Sequence, residues 1–169
     1  MEVRLIDFPV DLDWKCVYDR ALVTVGKESN KFPSVDWRQK ILKAKHSPIR
    51  YLRFSFYLEV PYWVSVHLCR HIHAQPYVRS QRNDRQNEYD RNVAPQDAPV
   101  QMIWDMNAEE LINICEKRLC NQASKETRQV VEAMRDQVLT VCPEFGWVLQ
   151  PFCRKYKTCN EMFPCTQEL

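Results

Sequence analysis

The chain has 169 residues, of which 45% are hydrophobic and 27% charged, and its formal net charge is +2. This length suits one hydrophobic core and is short for two, so we expect a single domain over residues 1–169. The charge gives no overall attraction to nucleic acid, and two glycines exclude both a glycine-rich dinucleotide fingerprint and a phosphate loop.

Neither a membrane span nor a signal peptide is predicted. No apolar run approaches the ~20 residues of a transmembrane helix, and the N-terminus carries Glu2 and Asp7 without a long apolar stretch. We therefore expect a cytoplasmic protein without a membrane partner.

Three segments in the first part of the chain have the composition of β-strands. Residues 3–8 and 21–25 are rich in β-branched and apolar side chains. Residues 51–60 place apolar side chains at every second position, which is typical of a half-buried strand. The sequence predicts a strand at each of the three.

Two helices are predicted from capping residues and helical periodicity. Ser34 suits the cap of a helix that ends at about Lys45. Residues 124–141 carry apolar side chains at helical spacing and stop at Pro143, as a core helix would. Together with the strands, these helices predict an α+β fold in which helices flank a small mixed or antiparallel sheet.

A basic segment follows a third predicted helix, which runs from Pro61 to His71. Between His67 and Arg91 the chain has three histidines and five arginines against three acids. Arginine binds phosphate oxygens through two parallel hydrogen bonds, so this segment is a candidate anion site. A solvated charged loop is the alternative, since residues 83–99 have the composition of a long loop.

A fourth predicted helix carries an inward-facing arginine. Asn107 is expected to cap this helix, with Glu110 completing a capping box. Arg118 falls on the apolar stripe with Leu111 and Cys115. A buried charge requires a partner, which is either an internal carboxylate or the anionic group of a ligand.

The eight cysteines allow three interpretations. Free thiols are favoured, because Cys115 lies on an apolar helix face and close Cys-x-x-Cys pairs are absent. In the cysteine-rich tail, residues 142–169, a structural zinc site is the second interpretation, and disulfides are the third. The candidate zinc ligands are Cys142, Cys153, Cys159 and Cys165.

Several motifs are similar to those of the flavin-dependent thymidylate synthases. That family has an Arg-His-Arg signature, then seven residues, a serine and, two residues later, an arginine. Here the corresponding residues are Arg70, His71, Ile72, Ser80 and Arg82. The His-x-Ser-Pro, Phe-Thr-Phe and Pro-x-x-Val motifs resemble segments 46–48, 54–56 and 61–64. Matching positions downstream are Arg91, Pro95, Trp104, Asn107, Ala108, Leu111, Arg118, Leu119, Ala123 and Glu126.

The resemblance implies a site for deoxyuridine monophosphate (dUMP). The residues at its substrate-binding positions are His67, Arg70, Ser80, Arg82, Arg91 and Arg118. Ser80 would orient the pyrimidine, and Arg118 would stabilise negative charge that develops on the uracil oxygens. These two are therefore the candidate catalytic residues.

The resemblance also implies cofactors and an assembly. Arg70, His71 and Asn107 lie at flavin-contacting positions. The implied reaction is reductive methylation of dUMP to dTMP with methylenetetrahydrofolate, reduced FAD and NADPH, the last of which reduces the flavin. The implied assembly is a homotetramer with nucleotide pockets at subunit interfaces.

The chain departs from the family pattern at flavin-facing positions. Ile72 replaces the third signature residue, an arginine, and Arg50-Tyr51 replaces a Glu-His pair. The chain is also shorter than family members between the signature and Arg91. A diverged dUMP-binding relative, hydroxymethylating or non-catalytic and with weakened or lost flavin binding, is therefore the alternative function.

Two other kinds of site are compatible with the basic segment. His67 and His71 are one helical turn apart and have Cys69 between them, which allows a metal site. Tyr77 and Tyr89 could stack on bases if the segment bound nucleic acid. We expect neither, because the glutamate of a zinc hydrolase is missing and the rest of the chain is not basic.

Overall fold

An antiparallel sheet of four strands organises the fold. The computed structural model describes residues 1–85 and 90–165. The strands are β1 (Glu2–Asp7), β2 (Arg53–Pro61), β3 (Gln75–Val78) and β4 (Pro99–Asn107). The helices are α1 (Asp11–Val23), α2 (Val35–Lys43), α3 (Tyr62–Leu68), α4 (Ala108–Arg118), α5 (Lys125–Val141) and α6 (Phe152–Tyr156). The strand order is β1-β2-β4-β3, which confirms the expected α+β fold with an antiparallel sheet.

The central strands β2 and β4 supply one face of the core. Phe54 and Phe56 of β2 and Trp104 of β4 are fully buried, because every second side chain of a strand points to the same face. Helices α3, α4 and α5 contact the sheet. Burial of each phenylalanine contributes about 1.5–3 kcal/mol, so the β2–β4 pair is a major source of stability.

Two of the three predicted strands are confirmed and one is wrong. Residues 3–8 and 51–60 correspond to β1 and β2. Residues 21–25 instead cover the last turn of α1 and the turn after it. Val23 and Val25 are exposed there, so the apolar composition of this segment does not reflect a buried strand.

The predicted helices are present, and one is shorter than expected. Ser34 caps α2 by accepting a hydrogen bond from the Trp37 N–H at 3.3 Å, and α5 begins at Lys125, one residue after the predicted start. Helix α3 ends at Leu68 rather than at His71, because the chain must turn there to place β3 beside β4. Over the described ranges, no helix has the length and apolar character that a membrane crossing would require.

Candidate functional site

Arg118 lies at the C-terminal end of α4, where it contacts the turn after α3. Its Nε donates a hydrogen bond to His71 Nε2 at 2.9 Å, and its Nη2 donates one to the His67 carbonyl oxygen at 3.4 Å. No carboxylate of the described residues forms an ion pair with this partly buried guanidinium. The internal carboxylate that could have been its direct partner is therefore absent from the part of the chain described.

The imidazole of His71 has both ring nitrogens engaged. Nε2 receives the Arg118 N–H, and Nδ1 lies 3.2 Å from Glu110 Oε1. A guanidinium has only donors, so Nε2 must carry the lone pair and Nδ1 the proton. His71 is thus a neutral link between a carboxylate and a guanidinium, with its ring tilted against Trp104 at a centroid distance of 6.1 Å.

Glu110 is a buried acid whose role differs from the predicted one. Asn107 caps α4 as expected, since its Oδ1 accepts the Glu110 N–H at 2.9 Å. The Glu110 carboxylate, however, bonds to His71 and does not complete a capping box with the Asn107 backbone. The reason is that Asn107 ends β4 and pairs with Arg53 of β2, while His71 offers a buried donor nearby.

Arg70 places a second positive charge beside Arg118. Burial lowers the pKa of Arg118, and the nearby Arg70 guanidinium lowers it further. Arg70 is exposed and has no hydrogen bond or ion pair within the described residues. Two adjacent guanidiniums without a bound carboxylate form an electrostatic site for an anion.

His67 completes the surroundings of Arg118. Its Nδ1 lies 3.4 Å from the hydroxyl of the buried Thr127, and its ring packs edge-on against Trp63 at 5.4 Å. These contacts fix the end of α3 against α5. We call the whole group the His71 cluster, and its members are His67, Arg70, His71, Asn107, Glu110 and Arg118.

The remaining predicted substrate residues lie on the loop after β3. Ser80 Oγ accepts a hydrogen bond from the Arg82 backbone at 3.4 Å, and both oxygens of Asp84 pair with the Arg82 guanidinium. The Arg82 guanidinium lowers the pKa of Asp84. Arg91 is exposed, and its backbone N–H donates to Asn83 Oδ1 at 3.3 Å. We call Ser80, Arg82 and Arg91 the Ser80 group.

An open cavity of about 590 Å³ adjoins the Ser80 group. Ser80 lines it, together with Arg79, Asp90 and apolar residues between Val93 and Val100. This volume is within the usual range for small-molecule sites, which are mainly apolar with a few polar groups. Tyr89, one of the two tyrosines considered for base stacking, lies outside the described residues.

The His71 cluster and the Ser80 group are separate within one chain. No hydrogen bond or ion pair joins them in the described ranges, and no member of the His71 cluster lines the cavity beside Ser80. Pro99, which lines the cavity, begins β4, and Asn107 of the cluster ends it. Eight residue steps of about 3.3 Å place these two positions roughly 26 Å apart. The predicted substrate residues therefore fall into two groups, one beside each end of β4.

The described residues contain no preformed metal site. No group of three or more histidine, cysteine, aspartate or glutamate side chains in these ranges is placed to hold a metal ion. All eight cysteines are free thiols. Of the four candidate zinc ligands, Cys142 caps α5 and lies near the Pro9 carbonyl. Cys153, Cys159 and Cys165 line a small cavity with Cys120.

Residues at two positions that depart from the family pattern have local partners. Arg50 forms an ion pair with Glu109, which raises the pKa of Arg50. The guanidinium of Arg20 lies over the ring of Tyr51, 4.1 Å from its centre. Ile72 is 83% exposed, so the position that would carry the third signature charge faces solvent.

Comparison with known families gives one match. Residues 83–144 match the family model described as thymidylate synthase complementing protein. The match supports the flavin-dependent thymidylate synthase family. It also supports a thymidylate synthase-like function in general terms, and it spans Arg91, Asn107 and Arg118. Comparison with curated proteins found no match.

Glu110 was not identified from the sequence as a member of the His71 cluster. Its position three residues after Asn107 suggested a helix cap alone. A further signal was available, since Glu110, Ile114 and Arg118 are spaced by four residues and follow one ridge of the helix. An acid and an arginine on the same ridge of a buried helix indicate a shared polar partner.

Proposed function

We propose that the protein is a flavin-dependent thymidylate synthase-like enzyme that binds dUMP and converts it to dTMP by reductive methylation. One observation carries the proposal: the partly buried Arg118 is held by neutral acceptors and stands beside Arg70, without a carboxylate in contact. Such a pair attracts a phosphate or the polarised oxygens of a uracil ring. The family match over residues 83–144 supports the same substrate.

In this proposal the nucleotide pocket forms between two protomers of a homotetramer. The His71 cluster of one protomer would supply His67, Arg70 and Arg118. The Ser80 group of a neighbouring protomer would supply Ser80, Arg82 and Arg91. The separation of the two groups within one chain supports this arrangement. In a head-to-tail subunit interface, the Ser80 group of one protomer can lie against the His71 cluster of its neighbour.

Arg70, His71 and Asn107 would hold the flavin. Both ring nitrogens of His71 and the Oδ1 of Asn107 are engaged within the chain, so the guanidinium of Arg70 and the Nδ2 of Asn107 are the groups with unpaired donors in the described structure. Reduced FAD would supply hydride, methylenetetrahydrofolate the carbon, and NADPH the electrons for the flavin. The protein's part is to fix the pyrimidine at Ser80 and to stabilise charge at Arg118.

The first experiment measures flavin, dUMP binding and turnover on the purified protein. We expect a yellow protein whose flavin absorbance changes on addition of dUMP, and release of tritium from C5-tritiated dUMP when both co-substrates are present. A colourless protein that still binds dUMP would move the assignment to the diverged relative. Absence of dUMP binding would refute the proposed function.

The second experiment tests the shared pocket by subunit complementation. Arg118→Ala damages the His71 cluster, and Arg82→Ala damages the Ser80 group, so each variant alone should bind dUMP at least about tenfold more weakly than the parent. After equal and random mixing, about a quarter of interprotomer sites would combine two intact halves. Recovery of dUMP binding on mixing is expected. Failure to recover it in a mixture proven to form hybrids would exclude the interprotomer pocket.

A further inference from the structure

We propose that Glu110 is a positioning residue that acts through His71 to hold the Arg118 guanidinium in its nucleotide-binding orientation. This inference rests on the proposed function for its ligand, dUMP. It assigns a role to an acid that neither the sequence motifs nor the family match mark as part of the site.

The carboxylate of Glu110 determines which ring nitrogen of His71 carries the proton. Glu110 Oε1 is an acceptor 3.2 Å from Nδ1, so it stabilises the imidazole with its proton on Nδ1. That leaves a lone pair on Nε2, which is the group that Arg118 Nε–H requires at 2.9 Å. With the proton on Nε2 instead, two N–H donors would face each other and the bond to Arg118 would be lost.

The pair formed by Glu110 and His71 is buried. The side chains of His71 and Glu110 are 13% and 6% exposed. Water therefore has little access to replace the carboxylate if it is removed. Asn107 and the backbone of α4 fix Glu110 from the other side through the 2.9 Å bond to its N–H. The hydrogen-bonded series from Glu110 through His71 to Arg118 is thus held in place by packing as well as by hydrogen bonds.

Arg118 has few contacts other than the one to His71. Its other hydrogen bond in the described structure is the one to the His67 carbonyl, at 3.4 Å, which is at the long end of hydrogen-bond distances. The neighbouring Arg70 repels it. The direction of the guanidinium consequently depends mainly on His71.

The hydrogen bonds of Arg118 go to neutral acceptors and not to a carboxylate. A carboxylate in direct contact with Arg118 would neutralise it and compete with an anionic ligand. Glu110 lies one imidazole ring away and does not occupy the guanidinium. The acid whose charge raises the pKa of Arg118 is Glu161, which forms its ion pair with Lys117. The remaining guanidinium donors are then left for the nucleotide.

A matched pair of variants tests the inference. Glu110→Gln keeps the shape and an oxygen acceptor for His71 Nδ1–H, whereas Glu110→Met keeps the approximate shape without an acceptor. We expect Glu110→Met to weaken dUMP binding about tenfold and Glu110→Gln to stay within about threefold of the parent. The same pair in an Arg118→Ala background should differ by less than about twofold, because the residue through which Glu110 acts is missing. Equal effects of Glu110→Met in both backgrounds would indicate a merely structural role and overturn the inference.

A second readout does not depend on nucleotide binding. The chain has four histidines, so selective nitrogen-15 labelling gives few signals, and the His71 signal is identified by its loss in His71→Gln. We expect the proton on Nδ1 in the parent protein and in Glu110→Gln, and a change of tautomer in Glu110→Met. A proton on Nε2 in the parent would overturn the inference even if the methionine variant failed to fold. A parent protein with the expected tautomer but no dUMP affinity would refute the proposed function alone.

Discussion

Replacement of Glu116 by glutamine is expected to destabilise the protein by about 3–5 kcal/mol. Glu116 lies on α4, and its carboxylate contacts two lysines. Lys155 of α6 donates to one oxygen from a fully buried side chain, and Lys45 donates to the other at 2.9 Å. Burial would raise the pKa of Glu116, but the two ammonium groups outweigh it and hold this pKa below its usual value. The amide preserves the shape and removes the charge, so Lys155 is left buried without a negative partner.

The matched variant Lys155→Met should cost less, about 1–2 kcal/mol. It removes the buried ammonium itself, and Glu116 keeps its contact with Lys45. The main loss is the hydrogen bond from Lys155 Nζ to the Val148 carbonyl, at 3.1 Å, together with the attraction to Glu116. For the same reason, the double variant should be more stable than Glu116→Gln alone.

Urea unfolding, followed by tryptophan fluorescence, measures these differences. The free energy of unfolding is obtained by linear extrapolation, and equal slopes among the variants would show that the exposed surface has not changed. A loss for Lys155→Met as large as that for Glu116→Gln would refute the reasoning. So would a double variant that is less stable than Glu116→Gln.

Glu116, Arg118 and two buried cysteines each give a further prediction. Because the pKa of Glu116 is depressed in the folded protein, its ion pairs contribute their full stability above the pH range in which glutamate ordinarily titrates, and this contribution is lost as the pH falls through the folded pKa. The free energy of unfolding of Glu116→Gln should therefore fall less steeply with decreasing pH. Arg118→Ala should weaken dUMP binding roughly 10- to 150-fold by titration calorimetry, whereas the exposed neighbour variant Lys117→Ala should stay within about twofold. Burial raises the pKa of Cys115 and of Cys142 to about 12. Both thiols should therefore resist a chromogenic disulfide reagent at about pH 8 until urea is added, and labelling of either in the native state would contradict this.

The sequence predicted those elements whose local pattern and tertiary environment agree. The alternation in residues 51–60 matches the central strand β2, and Ser34 and Asn107 both cap helices as expected. The strand predicted at residues 21–25 is wrong, because Val23 and Val25 are exposed at the end of α1 and the prediction depended on composition alone. Strands β3 and β4 were not predicted at all, although Val100, Met102, Trp104 and Met106 of β4 alternate like those of β2.

The candidate site was predictable in its residue types but not in its geometry. The inward position of Arg118 follows from the stripe of α4, and the structure buries it partly, as expected. Its partner is His71, which lies 47 residues away in the sequence, in the turn after α3. No carboxylate among the described residues contacts the guanidinium. Pairing across such a distance depends on how the elements pack, and no local pattern encodes that.

Strand β4 has a consequence for how the length of this chain can vary. It begins at the cavity and ends at Asn107, and it is paired along its whole length with β2. Loss of one residue would shorten the spacing between its ends by about 3.3 Å and reverse the alternation of its buried side chains. The loop before β4 can lose or gain residues, whereas the length of β4 is fixed by its pairing with β2. Insertions and deletions in related chains should therefore be found before Pro99 and not between Pro99 and Asn107.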